Sequence, residues 1–275
     1  MKYLVSTIAA IAVTLSLHAQ ETTGTLPADT TKQKKNSTSL SIGSGGVKVG
    51  KSNDSADKAV ELQFGMLDLG FNSLHDMTDY RSAEAQAFLG RVDGGLRNED
   101  LFALRTSKSI NVNIYPVMVK ARLYRSPRQK VLLASGLGMQ LYNFRFTKPV
   151  SYRADPTPGV VMDTISFSKN KLAFNYLTVP LMINAKTKIG GEWLTYGVGV
   201  SGGFLLSSWT KQVSDERGKD KTHDPFNFRK TNFCVNAEIG LDGYVRLYAS
   251  YQLTSLHEDG LQQHPFSIGF RFLGL

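Results

Sequence analysis

"NYLTVPLMINAKTKIGGEWLTYGVGVSGGFLL", residues Asn175–Leu206, decides the fold. It is mostly apolar, yet Asn184, Lys186, Lys188 and Glu192 interrupt it, which rules out a membrane helix. Its glycines at 197, 199, 202 and 203 would weaken any helix. At a period of two the stretch resolves into two faces. Leu177, Val179, Leu181 and Ile183 share one face, followed across the Lys188–Gly191 turn by Leu194, Tyr196, Val198, Val200 and Phe204. Thr178, Asn184, Thr195, Gly197, Gly199 and Ser201 take the other. The reading is a β-hairpin with one face for hydrocarbon and one for the inside of a protein.

The same pattern recurs outward from this hairpin. Alternation predicts eight strands: Ala59–Asn72, Lys108–Arg125, Lys130–Phe146, Lys171–Thr187, Glu192–Thr210, Lys230–Leu241, Tyr244–Ser255 and Pro265–Phe272. In the second strand Ile110, Val112 and Ile114 are on one parity and Val117, Val119 and Leu123 on the other, so a bulge is expected near Tyr115–Pro116. The gaps alternate between long (73–107, 147–170, 211–229) and tight ("SPRQ", "KIGG", "DG"). Short turns at one end, long loops at the other and an even strand count predict an all-β fold, an eight-stranded antiparallel up-and-down transmembrane β-barrel over 59–275. Closure satisfies every backbone polar group in hydrocarbon.

Residues 1–19 read as a signal peptide, with Lys2 before the apolar stretch Leu4–Leu17. Residues 20–58 read as a periplasmic N-terminal extension, with a short hairpin around Ser44-Gly45-Gly46. The single cysteine, Cys234, excludes an intramolecular disulfide. A net charge of +9 in an exported chain points to anionic lipid, including lipopolysaccharide, or to a merely solvated basic surface, and away from nucleic acid. The expected location is the outer membrane of a Gram-negative bacterium. Expected partners are its lipids, the outer-membrane assembly machinery and an envelope protein.

From Ala59 onward the chain resembles the PorT-like outer-membrane β-barrel proteins of Bacteroidetes. The resemblance rests on "DLGFN" (68–72), "SINVNIYP" (109–116), "SGLGMQLYNFRF" (135–146), "NYLTVPLMIN" (175–184), "YGVGVSGGFLL" (196–206) and "FSIGFRF" (266–272). It implies fold and location, not activity. Such chains commonly end on an aromatic residue, whereas Leu273-Gly274-Leu275 follow Phe272 here.

Glu238, Arg246 and Arg271 fall on polar faces of three consecutive strands, which predicts a structural ion network in a side-chain-filled lumen. Arg122, Arg125, Arg128 and Lys130 flank one tight turn and Lys186 and Lys188 another, either as contacts for lipid headgroups at the periplasmic rim or simply as charges that keep the turns soluble. Tyr124, Tyr142, Phe144, Trp193, Trp209 and Tyr244 suit interfacial girdles, with a core or loop-packing role as the alternative for each. Ser82–Val92 predicts a short helix in the first long loop, capped by Ser82. Ser255 and His257 lie two apart, the spacing a lipid hydrolase of the deacylase kind could use. "HDMTD" (75–79) and the acids of 215–224 could ligate a cation, but interleaved lysines and arginines favour a solvated loop. The expectation is a non-enzymatic envelope scaffold or surface-binding protein with no cofactor and no metal. The lipid enzyme and a narrow channel or protein-export component are the alternatives.

Overall fold

A computed structural model of the chain describes residues 38–43, 46–51, 59–154, 157–243 and 245–273. The expected signal peptide, most of the extension, Tyr244, Gly274 and Leu275 lie outside these residues. The strands are β1 (Thr38–Gly43), β2 (Gly46–Lys51), β3 (Val60–Asp76), β4 (Ile110–Arg125), β5 (Gln129–Arg145), β6 (Val150–Arg153), β7 (Gly159–Met162), β8 (Lys169–Ile189), β9 (Glu192–Ser214), β10 (Gly218–His223), β11 (Thr231–Leu241), β12 (Arg246–Gln252) and β13 (Gln263–Leu273). Eight of them form a ring-like antiparallel sheet in the order β3-β4-β5-β8-β9-β11-β12-β13, with β13 pairing back onto β3. These eight coincide with the segments read from alternation. β1 and β2 form a hairpin whose second strand pairs with Val60–Leu62 at the start of β3.

Local chemistry sets the turns. Gly190 and Gly191 take positive φ between β8 and β9, and Gly243 does so after Asp242, where a side chain would be strained. The register shifts between Ile114 and Val117 along the β4–β5 pair. Pro116 and Val117 both face outward as a result, and Tyr115 and Met118 both face inward. That is the expected bulge, placed where proline's missing N–H costs no ladder bond.

The ring is inverted relative to a water-soluble domain. Val198 (63 % exposed), Ile268 (56 %), Phe270 (54 %) and Ile183 (53 %) point outward, while Asp68 (0 %), Arg246 (2 %) and Glu238 (5 %) are buried inside. The register explains the belt: Ile183 pairs with Val198 across β8–β9, and Val198 with Ala237 across β9–β11. Gly70 and Gly269 face each other on β3 and β13. A Cβ on Gly70 would come within 2.5 Å of the Tyr248 hydroxyl. Their bareness leaves room for that inward ring, whose hydroxyl donates to Asn111 Oδ1 at 2.7 Å.

On the long-loop side the strands run on and the loops fold over the ring. The first loop holds α1 (Ala83–Phe88), with the Ser82 hydroxyl accepting from Ala85 N at 3.2 Å, as its composition predicts. Three 3-10 turns follow, Gly94–Leu96, Glu99–Phe102 and Thr106–Lys108. β6 and β7 form a separate hairpin in the second loop. The charged segment read as an open loop after Thr210 is instead a strand extension, with β10 pairing along Trp209–Ser214 of β9. Gly218 at positive φ lets it fold back.

Candidate functional site: the charged interior and the aromatic cap

The interior has two layers. From the middle of the ring to the tight turn after β11, three carboxylates meet three cations in one chain of contacts. Arg271 donates from Nε and Nη2 to the two carboxylate oxygens of Asp68, at 2.7 and 2.8 Å. Its Nη1 donates to Glu238 Oε2 at 2.6 Å. Arg246 donates to Glu238 Oε1 at 3.0 Å and to Asp242 Oδ1 at 2.9 Å. Lys186 reaches the other oxygen of Asp242 at 2.7 Å. Asn184 and Asn113 donate to Glu238 and Asp68, at 2.5 and 3.2 Å. A bidentate guanidinium–carboxylate pair with these extra donors is the arrangement that offsets the cost of burying charge.

The structure brings Glu238, Arg246 and Arg271 together. Asp68 completes the set and was missed, although alternation around the outward Leu69 and Phe71 places it inside. Lys120, also buried, could have been found the same way from its outward neighbour Val119. Among the rim cations, Lys186 lies on the inward face with Asn184 and is held by Asp242, so it belongs to the ion network and not to a lipid rim. Lys130 sits over the Trp193 ring at 4.5 Å. Arg125, Arg128 and Lys188 are exposed beside the tight turns, and Arg122 is half-buried there.

The second layer is apolar. Tyr142, Phe144, Leu172, Phe174 and Tyr176 face inward on the upper parts of β5 and β8 and pack with Phe88, Leu89, Leu101, Phe102, Tyr152, Phe226, Phe228 and Leu256 from the loops. Tyr142 and Phe144 are therefore cap residues and not the interfacial girdle expected of them. They share the inward parity of Gln140, opposite the outward Met139. Tyr124, by contrast, is exposed.

His257 lies inside this cap, fully buried. Its ring stacks on Tyr152 at 5.9 Å and meets Phe88 and Phe228 edge-on at 5.3 and 5.1 Å. Neither ring nitrogen has a hydrogen-bond partner among the described residues. The Ser255 hydroxyl donates to the backbone oxygen of His257 at 2.7 Å, not to its ring. A hydrolase needs the nucleophile's proton on the ring nitrogen, so the dyad is not assembled. Nor do the cation candidates converge: His75 Nδ1 pairs with the Tyr251 hydroxyl at 3.0 Å, and Asp76 accepts from Tyr80 and Gln263 at 2.7 and 2.9 Å.

Burial pushes the His257 imidazole down to about 3, against a weak upward pull from Asp76. A histidine depressed in the folded state leaves the unfolded state with more bound protons between about 3 and its ordinary value of 6.5. The cap is thus fully stable above 6.5 and loses stability as pH falls toward 3. Limited proteolysis of the outer loops is expected to accelerate from pH 7 to pH 5, and His257→Phe to flatten that increment. An equal acceleration in His257→Phe would assign the effect to other groups.

No family model matches the chain, and no curated protein matches it. Among solved structures it is similar to Ail, the attachment invasion locus protein of Yersinia pestis, at 9 % identity, over 77 % of this chain and 98 % of that one. The TM-score is 0.26, and a likeness of that size carries no functional argument.

Proposed function

We propose that the chain is an integral outer-membrane β-barrel of PorT-like type, acting as a non-enzymatic envelope scaffold that presents a rigid loop-built cap outside the cell. The observation that carries this reading is the inversion of the ring, with exposed Leu, Ile, Val and Phe on each of its eight strands and charge inside. A contiguous apolar belt of that extent is not stable against water, whereas it matches hydrocarbon. The short turns then face the periplasm and the long loops the exterior. The ion network and the cap fill the interior, which argues against a conduit. The bond of the Ser255 hydroxyl to the His257 backbone oxygen, with the ring nitrogens left without a hydrogen-bond partner among the described residues, argues against the lipid-hydrolase alternative.

The test joins two measurements on the full chain. Cell fractionation is expected to recover it with outer membranes, with gel mobility that changes on boiling. Incorporated into planar bilayers, it is expected to give no resolved single-channel conductance. Recovery as a soluble periplasmic protein would sink the membrane reading, and steady conductance would sink the filled interior.

A further inference from the structure

A row of cations crosses four strands on the long-loop side of the ring. Arg145 on β5 stands opposite Lys171 on β8. Lys171 stands opposite Lys211 on β9, and Lys211 opposite Lys221 on β10. Directly paired residues of antiparallel strands point to the same face with Cβ atoms about 4.5–5.5 Å apart, so the four charges lie side by side. Lys169 and Lys219, both opposite Val213, add a second row. Phe144 and Leu172, the chain neighbours of Arg145 and Lys171, are buried in the cap, so the basic face is the outer one.

None of the six is ion-paired to a carboxylate among the described residues. Like charges directly opposite one another destabilise a sheet, and here they recur at three successive pairings. A soluble anion is one way to relieve that repulsion, but the position of the row selects another. On the same strands the exposed Leu177 and Val179 of β8, and Phe204 and Leu206 of β9, form the apolar belt. Trp209 lies between belt and cations, with the Lys171 and Lys221 ammonium groups over its ring at 5.7 and 5.2 Å. From the belt outward the order is aliphatic, indole, cation, which follows the order of hydrocarbon, interface and headgroup in a bilayer.

We propose that Arg145, Lys171, Lys211 and Lys221 bind the phosphate groups of lipid headgroups in the leaflet around the long-loop half of the ring. The inference rests on the membrane-embedded reading above. Arg145 supplies a guanidinium fork for two phosphate oxygens, and the lysines supply point charges beside it.

The probe is the full chain in phosphatidylcholine nanodiscs containing either lipid A with its phosphates or the same lipid A dephosphorylated, with bound lipid counted by native mass spectrometry. Wild type is expected to retain the phosphorylated form preferentially. The triple variant Lys171→Gln, Lys211→Gln, Lys221→Gln is expected to bind it on the order of a hundredfold more weakly, and the triple Lys→Arg variant to restore it. Heat-modifiable mobility checks that each variant is folded. If the triple variant does not fold, Lys211→Gln alone is expected to weaken retention several-fold. Equal retention of both lipids by wild type, or undiminished retention by the folded variant, would overturn the site. Displacement by inorganic pyrophosphate with no preference between the lipids would make it a free-anion site and overturn the lipid assignment. Failure of wild type to insert into plain phosphatidylcholine discs would instead strike the membrane reading itself.

Discussion

Arg271→Met is expected to lower the stability of the ring by about 3–5 kcal/mol. The substitution keeps most of the side-chain volume and removes only the charge and its donors. Asp68 would lose both guanidinium bonds, and Glu238 would keep only Arg246 and Asn184. Two carboxylates at or near zero exposure would then be short of a cation in a low-dielectric interior. The ring also ties β13 to β3, so the lost contact falls on the pair that joins the last strand to the first. The measurement is the urea midpoint of detergent-solubilised protein followed by the fluorescence of Trp193 and Trp209. The double variant Arg271→Met, Asp68→Asn removes one charge of each sign and is expected to recover part of the loss. A single variant within 1 kcal/mol of wild type would mean that water or repacking compensates the network.

Phe174→Ala is expected to cost about 3–5 kcal/mol, and to cost it in the cap. Phe174 is fully buried, with Tyr142 stacked at 5.1 Å and Phe228 edge-on at 5.4 Å. Truncation leaves a cavity in a tightly packed aromatic cluster that joins two ring strands to four loops. Protease cleavage of the outer loops should rise strongly while heat-modifiable mobility persists, because the charged layer below is untouched. Leu177→Ala on the same strand is the contrast. Leu177 faces outward at 39 % exposure, and its loss should leave loop cleavage unchanged. Equal loop cleavage in the two variants would show that cap and ring unfold together.

Much of this architecture is legible in the amino-acid sequence. The hairpin of residues 175–206, the eight strand segments, the Pro116 bulge, the Ser82 cap and the tight turns all follow from nearest-neighbour chemistry: the period of two, the missing N–H of proline, the φ freedom of glycine. What escaped was a change of phase along the strands. On β8 the apolar residues are odd-numbered and outward from Leu177 to Ile183, but even-numbered and inward from Leu172 to Tyr176. On β5 the outward Leu137 and Met139 give way to the inward Tyr142 and Phe144 in the same way. In the membrane reading, this reversal marks the height at which the outside of the ring changes from hydrocarbon to water. Read one residue at a time, Tyr142 and Phe144 look like girdle aromatics.

By itself, then, the sequence determined which segments are strands, where they turn and which residues share a face, because each depends on contacts a few bonds away. Only the tertiary structure decided that Asp68 and Arg271, 203 positions apart, share two hydrogen bonds, that Lys186 serves Asp242, and that His257 is sealed among aromatic rings instead of meeting Ser255. It also lined up Arg145, Lys171, Lys211 and Lys221 in one row. Those relations depend on the register between strands and on the path of long loops, and no local pattern encodes the distance between residues that only ring pairing and loop packing bring together.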